Sequence, residues 1–288
     1  MPEQDSEQQG VVADQVVVVT GGASGIGAAL VRRFAAEGAA AVVVVDRDAA
    51  GAAGVADEVA ATGVAATAVV ADLATAEGVA AAVADARAAH GRVDVWCSNA
   101  GIAVGGSAAE ADDDGWQRSW DVNVMAGVRA ARELVPEWLE RGGGTFVSTV
   151  SASGLLNHLF AAPYGATKAA ALSFAEHLAM THGDDGVRVL AVCPQGVRTP
   201  MLEQDTTGFL DAGAIEPEDV AAAVVDALRS ERQFLVLPHR EVADHASLRG
   251  QDHDRWIGGM RKLRRGLLAH LAGAGEGAAT PPVADRTD

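Results

Sequence analysis

Seven short apolar runs punctuate this chain, at 15–19, 41–45, 67–70, 93–97, 144–150, 187–192 and 233–237. Most are continuously apolar rather than alternating with polar residues. A strand of that kind must be covered on both faces, the condition of a parallel strand inside a sheet. Between the runs lie Ala-rich stretches of helical character near 25–37, 48–61, 75–90, 112–141, 164–182 and 217–230. Such alternation builds βαβ units. The expected fold is therefore α/β: a doubly wound, mostly parallel seven-stranded sheet with helices on both faces, in a single domain. The apolar fraction of 49% leans on Ala and Val, with aromatics at 4%, which suits small-residue helices packed on β-branched strands.

That domain is expected to occupy 10–240. Residues 1–10 read as a polar leader, and 271–288 as a small-residue, Pro-containing tail expected to be disordered. Between them, 240–270 reads as a helical extension. Trp256, Met260, Leu263 and Leu267 recur at helical spacing beside a basic face of Arg255, Arg261, Lys262, Arg264 and Arg265. Docking on the chain itself or on a neighbouring subunit is expected of it, rather than binding to a membrane surface. The net charge of −17 argues against a nucleic-acid partner, which needs a basic footprint. No apolar run approaches the roughly 20 residues that span a bilayer, and the N-terminus lacks the basic and apolar regions of a signal peptide. Cys97 and Cys193 end apolar runs and read as small buried hydrophobes. A reducing, cytoplasmic setting is expected.

After the first strand comes TGGASGIG at 20–27, opening a helix. Glycines at 21, 25 and 27 let the backbone approach a pyrophosphate, which the N–H groups and dipole of the helix start attract. The second strand ends at Asp46, nineteen residues past Gly27. An acid there can bond ribose hydroxyls and repel a 2′-phosphate, favouring NAD over NADP. Arg47 beside it is the residue that could instead accept that phosphate.

Tyr164 and Lys168 stand four residues apart in PYGATKAA, neighbours on one helix face, and Ser151 lies thirteen residues before the tyrosine. A free phenol is ionised in only about one molecule in a thousand at neutral pH. A lysine beside it is expected to favour the phenolate, making an activated acid/base.

With these residues assembled, the chain resembles the short-chain dehydrogenase/reductase family, in its single-domain Rossmann-type form, over roughly 10–240. TGGASGIG, Asp72-Leu73, Asn99-Ala100-Gly101, Asn123 in DVNVMAG, Ser151 and YGATK at 164–168 occur in the family's order. The resemblance implies an NAD-dependent oxidoreductase interconverting a secondary alcohol and a ketone. Tyr164 would be the acid/base and Ser151 the donor to the substrate oxygen. Lys168 would hold the nicotinamide ribose and lower the phenol's pKa, and Asn123 would hold a relay water. Gly21, Ser24, Gly25, Ile26, Gly27, Asp46, Arg47, Asp72, Leu73 and Asn99–Gly101 would contact the cofactor, with Tyr164, Lys168, Pro194, Val197 and Thr199. One departure is Gln195, standing in Pro194-Gln195-Gly196 where the family has a glycine; it bears on substrate preference.

Ser151, Ser153, Phe160, Gln195 and Met201 are the expected substrate contacts. Leu155, Leu156 and Phe160, with Met201, Leu202, Phe209 and Leu210 in a lid at 199–215, suggest a small to medium apolar substrate. Arg198 is the lone nearby cation in the sequence. The same residues allow an NADP-dependent ketone or 3-oxoacyl reductase. A non-catalytic dinucleotide sensor would have lost one of Asn123, Ser151, Tyr164 or Lys168, and none is lost. No metal is expected, since His239, His245 and His253 lack zinc-site spacing. A homodimer or homotetramer pairing the helices near 112–141 and 164–182 is expected, with Ala166, Ala169 and Ala170 permitting close approach.

Overall fold

The computed structural model describes residues 10–205, 207–230 and 233–274. The leader before residue 10 and the tail from 275 onward therefore lie outside the described residues. Among the described residues, seven strands form one parallel sheet ordered β3-β2-β1-β4-β5-β6-β7. They are β1 (Val16–Thr20), β2 (Ala41–Asp46), β3 (Ala65–Val70), β4 (Val95–Ser98), β5 (Gly144–Thr149), β6 (Val187–Val192) and β7 (Leu235–Val236). The winding reverses between β1 and β4. Connections leaving the two strands diverge there and open a crevice at their carboxyl ends, where α/β sheets bind ligands.

Because side chains alternate along a strand, each valine run feeds two cores. Val17, Val19, Val42 and Val44 pack against α1 (Gly25–Ala36), α2 (Ala49–Ala60) and α8 (Pro217–Arg229). Val18, Val43, Val45 and Trp96 face α3 (Ala76–His90), α5 (Ala126–Arg141) and α7 (Ala162–His182). Both faces are covered, which is why the runs carry no polar alternation.

Three features differ from the sequence reading. The stretch 112–141 is not one regular helix: a π-helical segment, Asp121–Met125, separates α4 (Asp113–Trp120) from α5. Its extra residue widens the turn that carries Asn123. A five-residue helix, α6 (Ala152–Leu156), follows β5 where none was expected. The extension 240–270 is two helices, α9 (Glu241–Gln251) and α10 (His253–Ala274). Asp252 breaks them with an extended backbone, and its carboxylate caps the second by accepting from the N–H of Arg255 at 2.8 Å. Val242 and Trp256 of these helices bury against Ala152 and Leu156 of α6. The extension thus lies on its own chain, over the end of β5.

Phe34 is fully buried between α1 and the sheet. Phe34→Ala should cost about 3–5 kcal/mol of stability, read as a fall in the urea midpoint at unchanged slope.

Candidate active site

The crevice is built around Thr20, the last residue of β1. Its hydroxyl donates to the carbonyl of Cys97 at 2.9 Å and accepts from the N–H of Asn99 (2.9 Å) and of Ala100 (3.1 Å). One buried side chain thereby locks the ends of β1 and β4 together. The Asn99 amide returns the contact, donating to the Thr20 carbonyl at 3.0 Å. The glycine turn closes tightly on this pair: a Cβ on Gly27 would lie 2.0 Å from the Gly21 carbonyl oxygen. At Gly25, φ is +51° and a Cβ would meet the Thr199 methyl at 2.8 Å, so the turn and the segment after β6 are in contact.

The start of α1 is chemically open. Asp48, Thr75 and Asp112 each cap their helices by accepting from a backbone N–H. Ser24, at the same position before α1, makes no such bond, and the first turn holds no acid. Free N–H groups and an uncompensated dipole end fit a diphosphate. Asp46 lies beside this turn, its carboxylate accepting from the N–H of Ala23 (3.1 Å) and of Asp48 (3.0 Å). Arg47 points into solvent. Asp72 is exposed and accepts from Ala74, while Leu73 is buried beneath it.

At the carboxyl ends of β5 and β6 the second half of the site assembles. Ser151 begins α6, and its Oγ accepts from the N–H of Ser153 at 3.0 Å, so Ser153 contributes its backbone here. The Pro194 carbonyl accepts from Ala152 at 2.7 Å and ties this corner to the end of β6. Lys168 is only 4% exposed. Its Nζ donates to the Thr149 carbonyl at 2.8 Å and stands 5.7 Å from the centre of the Tyr164 ring. Burial pushes this ammonium down to about 8. Ser151 hydrogen-bonds the Tyr164 phenol, and the residue is half-buried and crowded by protein.

That crowding corrects one expectation. Burial raises the Tyr164 pKa above its ordinary value, and the Ser151 hydrogen bond only partly opposes it. In the free protein the net shift is upward, so the resting residue is a neutral phenol. Asn123 has a structural part as well. Its side chain bonds both the N–H and the carbonyl of Ile102 (2.9 and 3.0 Å) and the Thr167 hydroxyl (3.0 Å). It clips the loop after β4 to α7, and its amide is engaged by protein.

The segment after β6 folds back as a closed loop, with Val197 bridging to Ile215. His239 pins its root, accepting from the Gln195 N–H on Nδ1 at 3.1 Å, with Nε2 3.2 Å from the Gly213 carbonyl. The Thr199 hydroxyl turns inward on the Val197 carbonyl. Met201 and Phe209 are partly exposed along this loop. Arg198 pairs with Glu216 at 2.9 Å, away from any role as a lone cation at the site. Two other arginines arrive from the extension: Arg249 donates to the Leu155 carbonyl, and the Arg264 guanidinium lies 5.6 Å from the centre of the Phe160 ring. Cys97 and Cys193 are free and buried; burial pushes the Cys193 thiol up to about 12.

A family model described as short chain dehydrogenase matches residues 15–208. The chain belongs to the short-chain dehydrogenases. Meso-2,3-butanediol dehydrogenase of Serratia marcescens is 35% identical over 232 residues, covering 77% of this chain and 90% of that one. 1-Deoxy-11-beta-hydroxypentalenate dehydrogenase of Streptomyces exfoliatus is 40% identical over 227 residues, covering 77% and 82%. Among solved structures, a short-chain dehydrogenase/reductase from Burkholderia phymatum in complex with NAD superposes with a TM-score of 0.77 at 28% identity, over 84% of this chain and 95% of that one. L-sorbose reductase from Gluconobacter frateurii, complexed with NADPH and L-sorbose, gives 0.71 at 31% identity, over 78% and 95%. This short-chain dehydrogenase is an oxidoreductase acting on alcohols with a nicotinamide dinucleotide.

The fold brings Ser151, Tyr164 and Lys168 together at one crevice, with Asn123 one step behind them. Sequence reading passed over several residues of the short-chain dehydrogenase's crevice. Thr20 was visible as the one polar residue closing a valine run. Thr167, His158, His239 and the two arginines gave no local signal, because only the tertiary fold delivers them. Lys168 yields a stability test. Its folded pKa of about 8 lies below the ordinary 10.5, so the unfolded state binds the extra proton. Stability from this group is present above 10.5 and lost as pH falls through 8. Relative to Lys168→Met, the natural protein should gain up to about 3 kcal/mol between those pH values, measured by urea unfolding at each.

Proposed function

We propose that this enzyme interconverts a secondary alcohol and a ketone, with Tyr164 moving the proton and NAD as the preferred cofactor. The observation that carries the reading is the convergence of the Ser151 hydroxyl, the Tyr164 phenol and the buried Lys168 ammonium at the mouth of the β1–β4 crevice. The open N-terminus of α1, with Gly21 and Ser24–Gly27, would hold the diphosphate. Asp46 would take the adenosine ribose and Asp72-Leu73 the adenine, with Asn99–Gly101 alongside. Lys168 would grip the second ribose, and Pro194, Val197 and Thr199 would face the nicotinamide. When bound, the nicotinamide supplies the hydride acceptor in oxidation and the donor in reduction.

The chain's own residues handle the proton. A substrate oxygen sits between Ser151 and Tyr164. In reduction the neutral phenol donates its proton to the oxygen as negative charge develops there, and Ser151 stabilises that charge by hydrogen bonding. The raised phenol pKa suits this donor role, since the resting residue carries its proton. In oxidation the phenol must first ionise, and the Lys168 charge held near the ring favours that state. Asn123 acts by placing α7, and with it Tyr164 and Lys168, against the loop after β4.

NAD is favoured because the Asp46 carboxylate, beside the glycine turn, would repel a 2′-phosphate, while Arg47 points into solvent. A small to medium substrate with an apolar body is supported by Leu155 and Phe160 after β5 and Met201 after β6, with Gln195 as a polar neighbour. A homodimer or homotetramer is supported by the large apolar side chains Trp120 on α4 and Met180 on α7, which are 43% and 78% exposed.

Reduced-nicotinamide absorbance with mixed secondary alcohols tests the assignment. Tyr164→Phe should lower kcat by about 10²–10⁴ while cofactor binding, followed by tryptophan fluorescence, persists. Normal turnover by the variant would refute the role. A separate comparison of kcat/KM for the two cofactors should favour NAD; preference for NADP would move the assignment from Asp46 to Arg47.

A further inference from the structure

His158 lies in the turn between Ser151 and Tyr164, outside the proton-handling set of Ser151, Tyr164 and Lys168. The turn is built to place it. Asn157 adopts φ +71° with its side chain accepting from the His158 N–H at 2.7 Å. Gly165 leaves room for that arrangement: a Cβ there would lie 2.6 Å from the Asn157 oxygen. The imidazole stands perpendicular to the Tyr164 ring, their centres 5.9 Å apart. Its Nδ1 accepts from the N–H of Phe160 at 3.2 Å, which leaves the proton of the neutral ring on Nε2. Burial favours that neutral ring, and Asp205 on the lid side opposes it. Among the described residues Nε2 has no partner. A held, tautomer-selected donor without a hydrogen-bond partner therefore stands in the turn beside the Tyr164 ring.

We infer that the His158 Nε2–H is the second polar contact of the substrate site, and that the substrate carries an oxygen on the carbon next to the reacting carbinol, as a vicinal diol or α-hydroxy ketone does. This rests on the proposed reaction at Tyr164. The adjacency of the two rings matches oxygens on neighbouring carbons: one meets Tyr164 and Ser151, the other His158. A neutral N–H asks for a neutral acceptor. Asp205 disfavours a carboxylate or phosphate at that spot, while Arg249 is engaged by the Leu155 carbonyl and Arg264 by the Phe160 ring, with Glu110 nearby. An alcohol lacking the second oxygen would enter the pocket but leave this donor unpaired, which a site of this kind penalises. The apolar body read from Leu155, Phe160 and Met201 is retained; what is added is the oxygen.

The test uses alcohols matched in skeleton: butan-2-ol against butane-2,3-diol, and cyclohexanol against cis- and trans-cyclohexane-1,2-diol. The natural enzyme should favour a diol over its matched alcohol by about 10- to 100-fold in kcat/KM. His158→Phe should lower kcat/KM for diols at least about tenfold more than for the simple alcohols. His158→Asn, which restores an N–H donor, should recover part of the preference. Absence of a diol preference in the natural enzyme overturns the inference while leaving the proposed reaction standing. So does an equal fall for both substrate classes in His158→Phe, which would mark a merely structural histidine. A natural enzyme that binds NADH yet turns over none of these compounds would overturn the inference and count against the proposed reaction as well.

Discussion

One buried charge organises this molecule's working end. The Lys168 ammonium is almost wholly removed from water and donates to the Thr149 carbonyl. Burying an ammonium is costly unless it is partnered, and its pKa falls to about 8 as a result. That arrangement demands that the end of β5, the loop after β4 and the first turns of α7 meet closely. Gly101 leaves that space: a Cβ there would come within 3.3 Å of both the Asn123 oxygen and Nζ. Asn123 and Thr167 complete the junction. The same closeness that costs the lysine its solvation crowds the phenol of Tyr164 and keeps it protonated.

The fold was legible because its pattern is physical. Valine runs without polar alternation require two covered faces, and helices supplied them on both sides of the sheet. Motifs tied to local backbone, such as the glycine turn and the Tyr164–Lys168 spacing, were equally readable. What could not be read were contacts between distant segments. Nothing in the sequence around Asn123 announces the π-helical segment that carries it towards Ile102. Nothing near Phe160 points to Arg264, a hundred residues later. The direction of the Tyr164 shift was also hidden. Charge proximity is visible as i,i+4 spacing, whereas desolvation depends on everything that packs around the hydroxyl.

The extension gains meaning from the same logic. Docking on the chain itself or on a neighbouring subunit was expected of it, and α9 and α10 lay Val242 and Trp256 on α6 and bring two arginines to the segment 155–160. Residues beyond the dinucleotide-binding sheet thereby shape the turn that holds His158. The glycine turn and Asp46 lie in the first half of the chain, while Ser151, Tyr164 and Lys168 come from β5 onward, beside the last two helices.

The chemistry of the site turns on the state of the phenol, and the protein offers a direct view of it. Tyr164 is the chain's single tyrosine, so a spectrophotometric titration of phenolate absorbance in the native protein reports this residue alone. The expected midpoint lies above the ordinary value of 10, because burial outweighs the Ser151 hydrogen bond. Ser151→Ala should move it higher still. A midpoint below 10 in the free enzyme would contradict the claim that the resting residue is a buried, proton-bearing acid.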